Sequence, residues 1–169
     1  MDGSPVVRVR RALVIGYGSP IRGDDALGPL LAERLRRDGV PAWVDVHARH
    51  ILTPDLAPEI AAVELVIFID AAEQGTPGEI LCQPLEPRPG PAATLVHFLD
   101  PRELLAWTRA LYGCAPRAYL VSTAGQQFAF SHAELSPPVA AAVEALIRNV
   151  RSLLDGYDHA TIPGDRTSI

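Results

Sequence analysis

The chain predicts an α/β domain: three layers, α/β/α, around a mostly parallel, five-stranded twisted sheet with one antiparallel strand. Three observations carry this. Short apolar runs alternate with amphipathic segments along the 169 residues, the pattern of strands and covering helices. The run Leu65-Val-Ile-Phe-Ile69 has no polar break, as a strand covered on both faces requires. A glycine-rich turn, Gly16-Tyr-Gly-Ser-Pro-Ile-Arg-Gly-Asp-Asp-Ala-Leu-Gly28, joins the first apolar run to the first amphipathic one.

Taken in order, residues 6–15 contain the first strand, and a helix over 26–38 carries Leu27, Leu30, Leu31 and Leu35 on its apolar face. After the Gly39-Val-Pro41 break comes a second strand at 42–47. Thr53-Pro54 reads as an N-cap with proline at the first helical position of a short helix reaching residue 62. The third strand ends in Asp70. Gly75-Thr-Pro-Gly78 is too short for a helical crossover, so the strand at 79–85 runs antiparallel. Prolines 84, 87, 89 and 91 mark an irregular loop. Asp100-Pro-Arg-Glu103 reads as a capping box opening a helix with Leu104, Leu105, Thr108, Leu111 and Tyr112 at helical spacing, closed by Gly113. A last strand includes 119–122. Ser136-Pro137 caps the last helix, with Val139, Val143, Leu146, Ile147 and Val150 as its core stripe. Residues 1–155 form one domain, and 156–169 read as a disordered tail.

Composition narrows the function. With 48% hydrophobic and 21% charged residues the chain is that of a soluble globular protein. A net charge of −5 gives no electrostatic case for nucleic acid or an anionic membrane. In the first fifteen residues only Ala12 to Ile15 is continuously apolar, too short for a signal-peptide core, and no segment approaches the ~20 apolar residues of a membrane span, so a cytoplasmic protein is expected. Cys82 and Cys114, without CxxC spacing, read as buried reduced thiols.

Ligands in such sheets bind beyond the carboxyl ends of the strands. Asp24 and Asp25 follow strand one, His47 and His50 follow strand two, and Asp70 ends strand three, so all are expected on one rim. Adjacent carboxylates repel unless solvent, protons, cations or hydrogen-bond donors relieve them. One of Asp24 and Asp25 is accounted for as a helix cap, the second less easily. His97 precedes the capping box on the proline-rich loop. Two carboxylates and an imidazole suit a borderline divalent ion such as zinc or nickel, and equally a general base with an orienting partner. His132 and His159 read as surface residues. Dinucleotide binding is disfavoured, because the third fingerprint glycine falls on Ile21 and the acid pair would repel a pyrophosphate. There is no HExxH or GxSxG.

These motifs resemble the hydrogenase maturation endopeptidases, which process the C-terminus of the large subunit of nickel–iron hydrogenases. The family's opening signature is Gly-x-Gly-Asn-x-hydrophobic-x-x-Asp-Asp/Glu-Gly-hydrophobic-Gly. The 16–28 turn matches it except at Ser19, where Asn is usual, and Ala26, where Gly is usual. Leu65-Val-Ile-Phe-Ile-Asp70-Ala matches the apolar strand ending in Asp, and Val96-His97-Phe-Leu-Asp-Pro-Arg-Glu-Leu-Leu105 the His before a helix with a leucine pair. A Gly-Gly/Thr-x-Gly turn common after strand two is missing. His50-Ile-Leu-Thr-Pro-Asp-Leu56 instead resembles a segment of members associated with soluble cytoplasmic hydrogenases. The resemblance covers residues 10 to 153.

The resemblance implies that Asp25, Asp70 and His97 together recognise nickel already held by the precursor large subunit. Asp25 or Asp70 would serve catalysis, and the C-terminal peptide would be removed. Asp24 and His50 are possible additional site residues. It implies nickel carried by the substrate rather than a permanent metal or organic cofactor, and a monomeric enzyme. The alternatives are a non-catalytic nickel-sensing module or chaperone for the same precursor, and a hydrolase of small amides.

Overall fold

The computed structural model describes residues 11–89, 99–130 and 134–158. Strand β1 (Ala12–Tyr17) leads through a 3-10 turn (Gly23–Ala26) into helix α1 (Leu27–Asp38). Strand β2 (Val44–Arg49) is followed by a 3-10 turn (Pro54–Leu56), helix α2 (Ala57–Ala61) and strand β3 (Leu65–Ala72). Strand β4 (Ile80–Leu85), helix α3 (Pro101–Tyr112), strand β5 (Arg117–Ala124) and helix α4 (Pro137–Asp158) complete the elements among the described residues.

The five strands stand in the order β2-β1-β3-β5-β4. All neighbours are parallel except β4, which runs antiparallel to β5. The short β3–β4 link therefore does not form a hairpin: β5 lies between the two strands. From β1 the chain moves one way to β2 and then crosses to β3 on the other side. The carboxyl ends of β1 and β3 thus form the point where strand order reverses, the usual place for a ligand crevice.

Alternating side chains fill two cores, which makes the third layer explicit. Ala12 and Val14 of β1, with Leu65, Ile67 and Ile69 of β3, pack under α1 and α4 through Leu27, Leu31, Leu35, Val139, Leu146 and Val150. Leu13 and Ile15, with Val66 and Phe68, pack under α2 and α3 through Ile60, Leu104 and Leu105. On the same alternation Tyr17 and Asp70 continue the α2/α3 face at its carboxyl rim.

Several expectations need correction. Leu30, Leu111 and Tyr112 are exposed, because each lies at the margin of a helix's apolar stripe where the neighbouring layer ends. Thr53 makes no side-chain cap hydrogen bond. The capping box holds: Asp100 accepts from the Glu103 amide at 2.8 Å, and Glu103 Oε2 accepts from the Asp100 amide at 3.1 Å. Cys82 and Cys114 are free but exposed, Cys82 because β4 is a sheet edge. Helix α4 runs on to Asp158, so residues 156–158 are helical. The rest of the expected disordered tail, with His159 and His132, lies outside the described residues. Among the described residues no helix is long and apolar enough to cross a membrane.

Candidate active site

The first acidic loop is placed by two glycines that let backbone touch backbone. A Cβ on Gly28 would sit 2.2 Å from the Tyr17 carbonyl oxygen and 2.6 Å from that of Ile69. One on Gly16 would lie 1.9 Å from the Gly28 carbonyl oxygen. The start of α1 therefore nestles onto the ends of β1 and β3, which draws the loop carrying Asp24 and Asp25 to the strand ends.

The two neighbouring acids have separate tasks. Asp24 is fully buried, and its carboxylate accepts from the amides of Gln126 (2.7 Å), Gln127 (2.8 Å) and Ser136 (2.7 Å) and from the Ser136 hydroxyl (2.8 Å). Burial pushes its pKa up, but these donors outweigh burial and hold it below the usual carboxylate range. Asp24 thus latches the β5–α4 connection rather than capping a helix. The Ser136 hydroxyl, expected as a cap, donates to this carboxylate. Asp25 faces the opening. Its Oδ2 accepts from the Ser19 amide at 2.9 Å, and Arg22 Nη1 lies 3.6 Å away. Ser19, where the resembled family usually has Asn, thus pins the loop through its backbone; its buried hydroxyl has no partner among the described residues.

Asp70 lies one residue beyond the last pairing of β3 with β1, Gly16 with Ile69. Its Oδ2 accepts from the Tyr17 phenol at 2.9 Å and its Oδ1 from the Ala71 amide at 2.8 Å. Burial pushes the Asp70 carboxyl up to about 6, against the pull of the Tyr17 and Ala71 donors and with added repulsion from Asp25 and Glu73. The Tyr17 phenol is pushed well up, by burial first and then by Asp70.

Asp25 and Asp70 line one cavity of about 340 Å³ with Tyr17, His50, Glu73 and Leu99. A second lobe of about 440 Å³, lined by Ser19, Ile21, Arg22 and Phe130, shares Asp25, His50 and Ile51 with the first. The structure therefore brings together Asp25, Asp70 and His50. It directs Asp24 away and sets His47 apart, with Nδ1 3.1 Å from Glu59 Oε2. His97 lies outside the described residues; Leu99, two positions on, lines the cavity. Among the described residues no three His, Cys, Asp or Glu side chains are grouped to hold a metal ion. Tyr17, Arg22 and Glu73 escaped the sequence reading. Tyr17 and Arg22 occupy variable positions of the opening signature, and Glu73 stands three residues past Asp70 without a pattern of its own.

A desolvated carboxyl whose pKa is raised to about 6, beside a second carboxylate on the same cavity, can bind a cation or take a proton from water.

No family profile matches the chain, and neither does any curated protein. Solved structures do. A hydrogenase 2 maturation peptidase from a Thaumarchaeota archaeon is 27% identical, with a TM-score of 0.66 over 86% of this chain and 99% of that one. The [NiFe] hydrogenase maturation protease HycI from Thermococcus kodakarensis is 25% identical, with a TM-score of 0.65 over 86% and 92%. The hydrogenase maturating endopeptidase HybD from E. coli, 22% identical, shares the fold with a TM-score of 0.71 over 87% and 93%. The resemblance seen in the motifs thus extends to the whole architecture of these proteins.

Proposed function

We propose that this chain, sharing its fold with hydrogenase maturation peptidases, is itself a maturation endopeptidase. Its substrate is the nickel-loaded precursor of a nickel–iron hydrogenase large subunit, from which it removes a C-terminal peptide. One observation carries the reading: Asp25 and Asp70, 45 positions apart in the chain, converge on one cavity at the strand-order reversal. The fold likeness to peptidases of at least 25% identity gives that convergence its chemical context.

In this reading Asp25, Asp70 and His97 meet the nickel that the precursor carries, so a metal-free precursor offers these groups no cation to bind. The donor set suits a borderline ion. Asp25 is turned to the cavity by the Ser19 amide, and Asp70 is clamped by Tyr17 and Ala71, so both carboxylates are held before substrate arrives. Asp25 or Asp70 takes the proton of the attacking water, and the departing amine receives it. The enzyme keeps no metal or organic cofactor of its own and works as a monomer in the cytoplasm.

The test is incubation with nickel-loaded precursor and intact-mass measurement of the products, with metal-free precursor and the Asp25→Ala enzyme as controls. Loss of one defined C-terminal peptide, only with nickel and only with Asp25, is expected. A nickel-dependent complex in which the precursor stays whole would instead mark a binding module.

A further inference from the structure

Arg22 is anchored on one edge and one face, while its other donors are left open. Its Nε donates to the Phe128 carbonyl at 3.2 Å, and its guanidinium carbon lies 5.4 Å from the Phe130 ring centroid. The terminal nitrogens point between two carboxylates, with Nη1 3.6 Å from Asp25 Oδ2 and Nη2 3.7 Å from Glu73 Oε1. Both separations exceed hydrogen-bond length. Among the described residues neither nitrogen has an acceptor closer, although together they carry four N–H bonds. The structural arginines differ: Arg34 Nε reaches Asp38 at 2.7 Å and Arg36 Nη1 reaches Glu33 at 2.9 Å. The side chain of Arg22 is 32% exposed, so these open donors are partly shielded from water. It lines the lobe that shares Asp25, and its tip reaches Glu73 of the Asp70 lobe.

Asp25, Asp70 and Glu73 crowd acids around the opening, so a negative charge formed on a substrate there calls for cationic donors besides the nickel that the precursor carries. Peptide hydrolysis forms such a charge on the carbonyl oxygen. We propose that Arg22 is a further catalytic residue, binding the scissile carbonyl oxygen through Nη1 and Nη2 and stabilising the oxyanion that forms there. This rests on the peptidase reading. The water oxygen bonds to the carbonyl carbon while one water proton passes to Asp25 or Asp70, and the carbonyl π electrons move to the oxygen facing Arg22. Collapse re-forms the C=O bond and breaks C–N, and the departing nitrogen takes the proton from the carboxylate. One water is consumed, and a carboxyl group and an amine leave. The anchoring at Phe128 and Phe130 sets the guanidinium in place beforehand, the condition under which such donors act most strongly.

The experiment compares wild type, Arg22→Met and Arg22→Lys on nickel-loaded precursor, following cleavage by intact mass and stability by thermal melting. For Arg22→Met, kcat falls about 100-fold or more while KM stays within about threefold. Millimolar guanidinium restores part of the rate, and Arg22→Lys retains an intermediate one. A structural role would not respond to added guanidinium. Cleavage by Arg22→Met at the wild-type rate, or a loss that tracks KM or melting temperature without rescue, overturns the assignment and leaves the precursor's nickel to polarise the carbonyl. A wild-type enzyme that cuts no precursor overturns the peptidase reading itself, and Arg22's role with it.

Discussion

Asp24 and Asp25 are adjacent in the chain and opposite in environment, which separates their mutants. Asp24→Ala would take the acceptor from the buried amide of Ser136 and from the part-buried amides of Gln126 and Gln127. The expected cost is about 3 kcal/mol or more, read as a lower urea midpoint. Because donors depress the folded-state pKa of Asp24, its contribution is present above the ordinary carboxylate pKa and is lost as pH falls through the lower folded value. Asp24→Ala should therefore show a shallower loss of stability in acid than wild type. Asp25→Asn keeps a side-chain oxygen to accept from the Ser19 amide and removes the charge that faces Arg22 and the cavity, so stability should stay within about 1 kcal/mol while precursor cleavage disappears. A parallel fall of stability in both mutants would refute the division of labour. Ser19→Ala removes a buried hydroxyl without a partner among the described residues, and should be neutral or slightly stabilising in the same melts.

At the scale of elements, the contact between α1 and the strand ends decides whether Asp25 reaches the site. Gly28→Ala places a methyl against the backbone of Tyr17 and Ile69, so the helix start must lift away. Cleavage should fall at least tenfold, with a lower melting temperature. Gly156→Ala is the contrast: its Cβ meets nothing within 4 Å inside α4, and it should add up to about 1 kcal/mol. Most elements were legible because their signals are local. The unbroken run at 65–69 is β3, and Asp100 with Glu103 is a capping box. What failed depends on neighbours far along the chain. Strand β2 extends to Arg49 because Ala48 and Arg49 still find Gly16 and Tyr17 beside them. Leu30, Leu111 and Tyr112 have helical spacing but no layer above them. Cys82 is exposed because β5, not β4, takes the place beside β3.

For the whole molecule, the strand order β2-β1-β3-β5-β4 concentrates acid at one rim of an already acidic chain. Asp25 and Asp70 were legible because each ends an apolar strand or opens a helix. Tyr17 was not, since its hydrogen bond to Asp70 spans 53 positions and exists only once β1 and β3 pair. The arrangement has a cost that can be measured. Asp70 sits near pKa 6 in the folded protein, chiefly through burial, against an ordinary value of about 3.9 when unfolded. Between those values the folded chain binds the extra proton, so this group's contribution is full below about pH 4 and lost as pH rises through about 6. The total is up to about 3 kcal/mol, from a shift of about two pKa units. Asp70→Asn keeps the side chain's shape but cannot ionise. Its stability minus that of wild type should therefore grow from pH 4 to 7 and then level off, as read from urea melts at each pH. Parallel wild-type and Asp70→Asn curves across that range would mean that Asp70 is not held desolvated. A divalent cation lodged between Asp25 and Asp70 should reverse the trend. Added nickel ought to raise the melting temperature of wild type above pH 6 and leave Asp70→Asn unmoved, tying the cost of ionising a desolvated Asp70 to the binding of a cation.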